Sequence, residues 1–227
     1  MEIKGKTVLI TGAGTGIGAS TAEEFALKGC KVIICYNHSE SKAKKVYEKC
    51  KKITDAYLMH LDVTNNESIT KSIIQLKKEF ETPDIIINNA GLIRWTSTKK
   101  HKLQEIQDMC DVNLSGLMKM TAAYLPEIEK KKEGIIINIS SVAGLYLPLT
   151  LIPYSATKAG VIAFSTGLAK ELPKKIRTYC IMPGLTATRM TKFAGVPPSK
   201  VAKVIVKCAE ENLGYKSGEA IDVRKHF

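Results

Sequence analysis

No stretch of this sequence approaches the roughly 20 consecutive apolar residues that a membrane-crossing helix needs. The start, Met1-Glu2-Ile3-Lys4-Gly5-Lys6, lacks the apolar run of a secretory signal, so a cytoplasmic protein that uses no membrane is the expectation. Six cysteines, at 30, 35, 50, 110, 180 and 208, contain no C-x-x-C pair and read as small buried hydrophobes rather than a disulfide framework. The four histidines show neither H-x-x-x-H nor histidine–carboxylate spacing, so no metal site is expected. Aromatics are 6% of the chain with one tryptophan, too few to interleave a basic surface, and nucleic acid is not an expected partner. Internal repeats and low-complexity linkers are missing as well, which argues against solenoids and tethered modules.

What is present is an ordinary globular composition: 227 residues, 44% hydrophobic and 25% charged. The excess of 34 basic over 22 acidic side chains gives a formal charge of +12. Runs such as Lys42-Ala43-Lys44-Lys45 and Lys130-Lys131-Lys132 are spread along the chain as solvated helix faces. An acidic substrate or a phosphorylated cofactor accounts for such a charge. Short apolar, strand-like runs recur at Thr7–Ile10, Val32–Cys35, Tyr57–Met59, Ile85–Ile87 and Ile135–Ile137, with weaker ones at Tyr179–Met182 and Ala220–Val223. Near-continuous apolar runs suit strands buried on both faces, and helical periods such as Ile69-x3-Ile73-Ile74-x-Leu76 lie between them. The alternation predicts one α/β domain over 1–227, a doubly wound Rossmann arrangement of about seven mostly parallel strands with helices on both faces.

The first strand runs directly into Thr11-Gly12-Ala13-Gly14-Thr15-Gly16-Ile17-Gly18, followed by helical sequence. Glycines at such a turn permit a tight bend and close approach to a pyrophosphate, with helix N–H groups facing the anion. A G-x-G-x-x-G match alone is weak; its position after the first strand and before the first helix gives it weight. Gly12, Thr15, Gly16, Ile17 and Gly18 are therefore candidate cofactor residues. The second strand ends in Tyr36-Asn37-His38-Ser39-Glu40, without an acid at the strand end to accept from a ribose 2′-hydroxyl. Asn37, His38 and Ser39 can donate to a 2′-phosphate, which favours NADP(H). NAD(H) stays as the alternative, with Glu40 the competing acid; Ser39 reads as a helix N-cap, which would place Glu40 in the first helical turn.

These motifs and those that follow resemble the short-chain dehydrogenase/reductase family, in its 3-oxoacyl-carrier-protein reductase-like and sugar or alcohol dehydrogenase branch. Asp62-Val63 matches an adenine-contacting segment, and Asn88-Asn89-Ala90-Gly91 the family's N-N-A-G signature. Asn113, Ser141, Tyr154 and Lys158 match its catalytic positions, and Pro183-Gly184 with Thr188 the segment that holds the nicotinamide. The similarity runs in order over about residues 5–190. It implies hydride transfer between a nicotinamide cofactor and a small carbonyl or alcohol. Tyr154 would be the acid/base, Ser141 would hold the reacting oxygen, Lys158 would bind ribose, and Asn113 would position a water. It also implies a homodimer or homotetramer, and acyl carrier protein enters as a candidate partner.

The residues carry part of this on their own. Tyr154 and Lys158 are four apart on predicted helix, so they share a face. Lowering a tyrosine pKa from about 10 toward 7 takes about 4 kcal/mol, which one cation about 4 Å away supplies at an effective dielectric near 20. Each residue also has a plainer reading: Tyr-x-x-x-Lys arises in many helices, Ser141 suits a turn, and the asparagines can serve backbone. A non-catalytic, NADP-sensing protein on the same fold is the competing function.

Two segments depart from the pattern. Residues 189–200 read as a shortened substrate lid, in which Arg189, Met190, Lys192 and Phe193 are most of what remains. The tail Asp222-Val223-Arg224 lacks the glycine pair common after that aspartate in relatives. Leu92, Ile93, Arg94, Trp95, Leu145, Tyr146, Leu147 and Leu185 are expected to line or flank the pocket.

Overall fold

A computed structural model describes all of residues 1–227. Seven strands form one sheet: β1 (Thr7–Ile10), β2 (Lys31–Tyr36), β3 (Ala56–His60), β4 (Ile85–Asn88), β5 (Gly134–Ile139), β6 (Ile176–Met182) and β7 (Ala220–Asp222). Their order is β3-β2-β1-β4-β5-β6-β7, and every neighbouring pair is parallel. The helices are α1 (Gly16–Leu27), α2 (Glu40–Lys51), α3 (Asn66–Glu79), α4 (Leu103–Cys110), α5 (Gly116–Glu129), α6 (Ala143–Tyr146), α7 (Ile152–Glu171) and α8 (Pro198–Ala209).

Side-chain alternation along each strand explains why the apolar runs are continuous. Val8 and Ile10 join Ile85, Ile87, Ile135 and Ile137 in a core covered by α1, α2 and α8. Leu9, Ile86 and Ile136 point to the opposite face and join Ile69 and Leu76 of α3, Met120, Tyr124 and Ile128 of α5, and Leu168 of α7. A strand sandwiched this way has no solvent face on which to show polar residues. The chain switches direction of winding between β1 and β4, and in open parallel sheets ligands lie in the crevice at the carboxyl ends of strands at such a switch.

Candidate active site

The glycine turn leaves β1 at that switch point and is braced from the neighbouring strand. Thr11 Oγ1 accepts the N–H groups of Asn89 and Ala90, both at 3.0 Å. Asn89 Nδ2 donates to Thr11 O at 2.9 Å and to Gly12 O at 3.3 Å. Gly12 has φ +64, and a Cβ there would come within 3.0 Å of Ala90 Cα. A Cβ on Gly18 would lie 2.4 Å from Asn89 Nδ2 and 2.6 Å from Gly12 O, so both glycines are needed for the fit of turn against loop. The Asn89 amide is thus engaged in bracing the turn. At the start of α1 the N–H groups of Gly16, Ile17 and Gly18 have no acceptor inside the helix. Thr188 closes over them, its Cγ2 lying 3.0 Å from where a Gly16 Cβ would be.

A cleft of about 330 Å³ opens beside this helix start, lined by Thr15, Gly16, Ser20, Lys42, Thr188 and Arg189 among others. Two cations and a free helix N-terminus fit the phosphates of a dinucleotide. The β2 end supplies Asn37, His38 and Ser39, of which His38 is exposed. Ser39 stands at the N-cap of α2 but makes no side-chain cap bond, and Glu40 opens the helix from an exposed position. Asp62, after β3, is half-buried beside Val63. Burial pushes its carboxyl up, but the Thr64 N–H and hydroxyl and the Asn37 side chain more than offset this and hold it below the usual carboxylate range.

The chemical groups meet where β4, β5 and α7 end or begin. Lys158 is buried, and its Nζ donates to Ile139 O at 2.8 Å, the last residue of β5. Ser140 Oγ returns a bond to Lys158 O at 2.7 Å, which clamps α7 onto the strand end. Ser141 Oγ accepts the Ala143 N–H at 3.1 Å and is near enough to Tyr154 to favour its ionised form. Burial pushes the Tyr154 phenol up to about 12 against the lowering effect of Ser141, and pushes the Lys158 ammonium down to about 8. This corrects the simple expectation of one cation about 4 Å from the phenol lowering its pKa. Lys158 Nζ lies 5.8 Å from the Tyr154 ring centroid and turns to a carbonyl, so burial is the main cause of the shift of each group.

Asn113 is buried in a π-turn, Asp111–Ser115, inserted between α4 and α5 rather than in regular helix. Its Oδ1 accepts from Leu92 N at 2.7 Å, and its Nδ2 donates to Leu92 O at 2.8 Å and to Thr157 Oγ1 at 3.1 Å. Thr157 in turn donates to Tyr154 O at 2.7 Å. The side chain of Asn113 therefore ties the loop after β4 to the helix that carries Tyr154. A Cβ on Gly91 would lie 3.5 Å from Asn113 Oδ1 and 3.8 Å from Lys158 Nζ, so these three converge.

The family model for short chain dehydrogenase matches residues 6–196 of this chain. The chain belongs to the short-chain dehydrogenase family. Membership makes it an NAD(P)-dependent oxidoreductase. It is 33% identical over 246 residues to 3-oxoacyl-[acyl-carrier-protein] reductase FabG of Vibrio cholerae, covering 98% of this chain and 97% of the relative. A crystal structure described as 3-oxoacyl-[acyl-carrier protein] reductase from Brucella melitensis superposes with a TM-score of 0.89 at 27% identity, over 98% of this chain and 91% of that one. Another from the same species, described as ribose-5-phosphate isomerase, gives 0.88 at 26%, over 98% and 93%.

Within this short-chain dehydrogenase the segment after β6 is compact rather than an open flap. Pro183 and Gly184 lead into a loop in which Ala187 N bonds Val196 O at 2.8 Å and Val196 N bonds Leu185 O at 3.0 Å. Thr191 Oγ1 accepts from Thr188 N and reaches the carbonyls of Thr186 and Ala194. Lys192 and Phe193 both take positive φ. From across the cleft, Trp95 Nε1 donates to Met190 O at 2.7 Å, so the tryptophan straps the loop down. Ser140 and Thr157 went unmarked in the sequence, and Thr11 was read only as the start of the glycine string. Their signal is positional: each is a small hydroxyl residue buried next to a motif residue.

Proposed function

We propose that the protein is an NADPH-dependent reductase of 3-oxoacyl thioesters, with acyl carrier protein as the partner that presents them. The convergence of Ser141, Tyr154 and Lys158 on one point beside Gly91 and Asn113 is the observation that carries the reading. When bound, the dihydronicotinamide supplies a hydride to the carbonyl carbon. Tyr154, neutral across the physiological range, donates its proton to the carbonyl oxygen, and the Ser141 hydroxyl holds that oxygen by hydrogen bond. Lys158, cationic below about 8, steadies the developing phenolate and binds ribose hydroxyls. Asn113 fixes the loop and helix against each other through Leu92 and Thr157, and in this reading it positions a water on the proton path. Gly12, Thr15, Gly16, Ile17, Gly18 and Thr188 form the pyrophosphate cradle. Asp62 and Val63 flank the adenine; Asn89, Ala90, Gly91, Pro183 and Gly184 flank the nicotinamide half.

NADP(H) is supported over NAD(H) by the donor-rich Asn37-His38-Ser39 stretch, by Glu40 lying within α2, and by Lys42 in the cleft. The intact set of Asn113, Ser141, Tyr154 and Lys158 argues against a non-catalytic sensor on this fold. The test is titration with NADPH and NADH by nicotinamide fluorescence, followed by NADPH oxidation with acetoacetyl-CoA. Tyr154→Phe is expected to lower kcat by about 10²–10⁴ while NADPH still binds. Equal turnover by the variant would overturn the acid/base role, and tighter NADH binding the cofactor preference.

A further inference from the structure

The segment Asp222-Val223-Arg224, read from the sequence as a departure from the family pattern, is used by nothing described so far. After β7 the chain enters a 3-10 turn, Val223–His226. Asp222 Oδ1 accepts the Arg224 N–H at 3.0 Å, and the same carboxylate takes Arg224 Nε at 3.0 Å and Nη2 at 2.7 Å. Backbone and fork together fix where the guanidinium points. Its Cζ lies 5.0 Å from the centroid of the Tyr146 ring. The stem of the same side chain lies against Gly184, where a Cβ would meet Arg224 Cδ at 3.1 Å.

Tyr146 is the last residue of α6, the four-residue helix that begins two positions after Ser141. A single turn of helix has too few internal bonds to hold itself. Leu147 then breaks it at φ +47, and Leu145, Tyr146, Leu147 and Leu149 are all more than half exposed. This turn packs on α7 at Gly144, where a Cβ would meet Ala159 N at 2.8 Å, and its last residue, Tyr146, stacks with Arg224.

We propose that Arg224 is a positioning residue for substrate specificity: clamped by Asp222, stacked on Tyr146 and lodged against Gly184, it sets where the α6 turn stands. The proposal rests on the reductase reading for its kinetic consequence, but not for its structural one. Arg224→Ala is expected to raise KM for acetoacetyl-CoA about fivefold through loss of the cation–ring contact, leaving kcat and NADPH affinity nearly unchanged. Tyr146→Ala should do the same. The double variant should stay near fivefold rather than reach the roughly 25-fold of independent sites. Arg224→Lys and Tyr146→Phe should recover most of the KM. Chymotrypsin should cut after Tyr146 faster in Arg224→Ala than in the parent protein. An unchanged KM, multiplicative effects or an unchanged cleavage rate would each overturn the proposal. If the parent protein reduces no 3-oxoacyl thioester, the reductase reading falls, while the cleavage rate still decides the role of Arg224.

Discussion

Tyr154 and Lys158 are moved by burial in opposite directions, and that separates their signatures in a pH profile. Tyr154 keeps its proton up to about 12, so it is not the group that limits reduction in moderately alkaline solution. Lys158 loses its charge near 8. The alkaline limb of kcat/KM for reduction is therefore expected to fall through about 8, and the limb should be absent in Lys158→Arg, whatever activity that variant retains. The same shift has a price in stability. The unfolded chain holds the Lys158 proton up to 10.5 and the folded chain only to about 8, so unfolding takes up a proton between these values and stability rises with pH across that window. Lys158→Met should then stabilise the fold at pH 7 by about 2 kcal/mol, a gain of about 3 from the removed charge less about 1 for the lost bond to Ile139. Thermal melts at pH 7 and pH 11 check it: the variant's advantage should disappear at the higher pH. None of this was legible in the i, i+4 spacing, which shows that two side chains share a helix face but not that Lys158 turns away to a carbonyl of β5.

Elements differ in how much of them local sequence records. Most strands were legible because burial on both faces leaves short, near-continuous apolar runs, and the glycine turn because its geometry demands glycine. Gly18 illustrates the demand: alanine there would place a methyl group 2.4 Å from the Asn89 amide and 2.6 Å from Gly12 O. Gly18→Ala is expected to destabilise by about 1–3 kcal/mol and to weaken NADPH binding, because the brace and the cradle share the same backbone. Differential scanning calorimetry with the nicotinamide titration reads both effects. The π-turn at Asp111–Ser115 was not legible, since Asp-Val-Asn-Leu-Ser continues a helical pattern. What accompanies the bulge is a set of bonds from Asn113 to Leu92 and Thr157, 21 and 44 residues away. The strap from Trp95 to Met190 and the stack of Arg224 on Tyr146 are non-local in the same way. Residues 189–200 were expected from the sequence to be a shortened lid; what fastens that segment, the Trp95 bond to Met190 O among other contacts, shows only in the fold.

At the scale of the whole molecule the charge of +12 is the property that local chemistry does not require. On the proposed function, hydride transfer calls on Lys158 and a phosphate cradle, which account for few of the 34 basic side chains. Long-range charge acts mainly on association: it steers an acidic partner and raises its encounter rate, with an effect that falls as salt shortens the screening length from about 10 Å at 0.1 M to about 3 Å at 1 M. Two substrates with the same acyl group separate this from the chemistry. A 3-oxoacyl group on acyl carrier protein arrives with the carrier's surface; the same group as its N-acetylcysteamine thioester arrives uncharged. If the basic surface receives the carrier, kcat/KM for the carrier-bound substrate should fall at least about tenfold between 0.05 and 0.5 M NaCl. The uncharged thioester should change little over that range, because its approach carries no net electrostatic attraction. A parallel fall for both would instead locate the salt effect in NADPH binding, which saturating NADPH removes. Equal and flat responses would mean that the charge serves no carrier and that the protein takes free small carbonyl compounds.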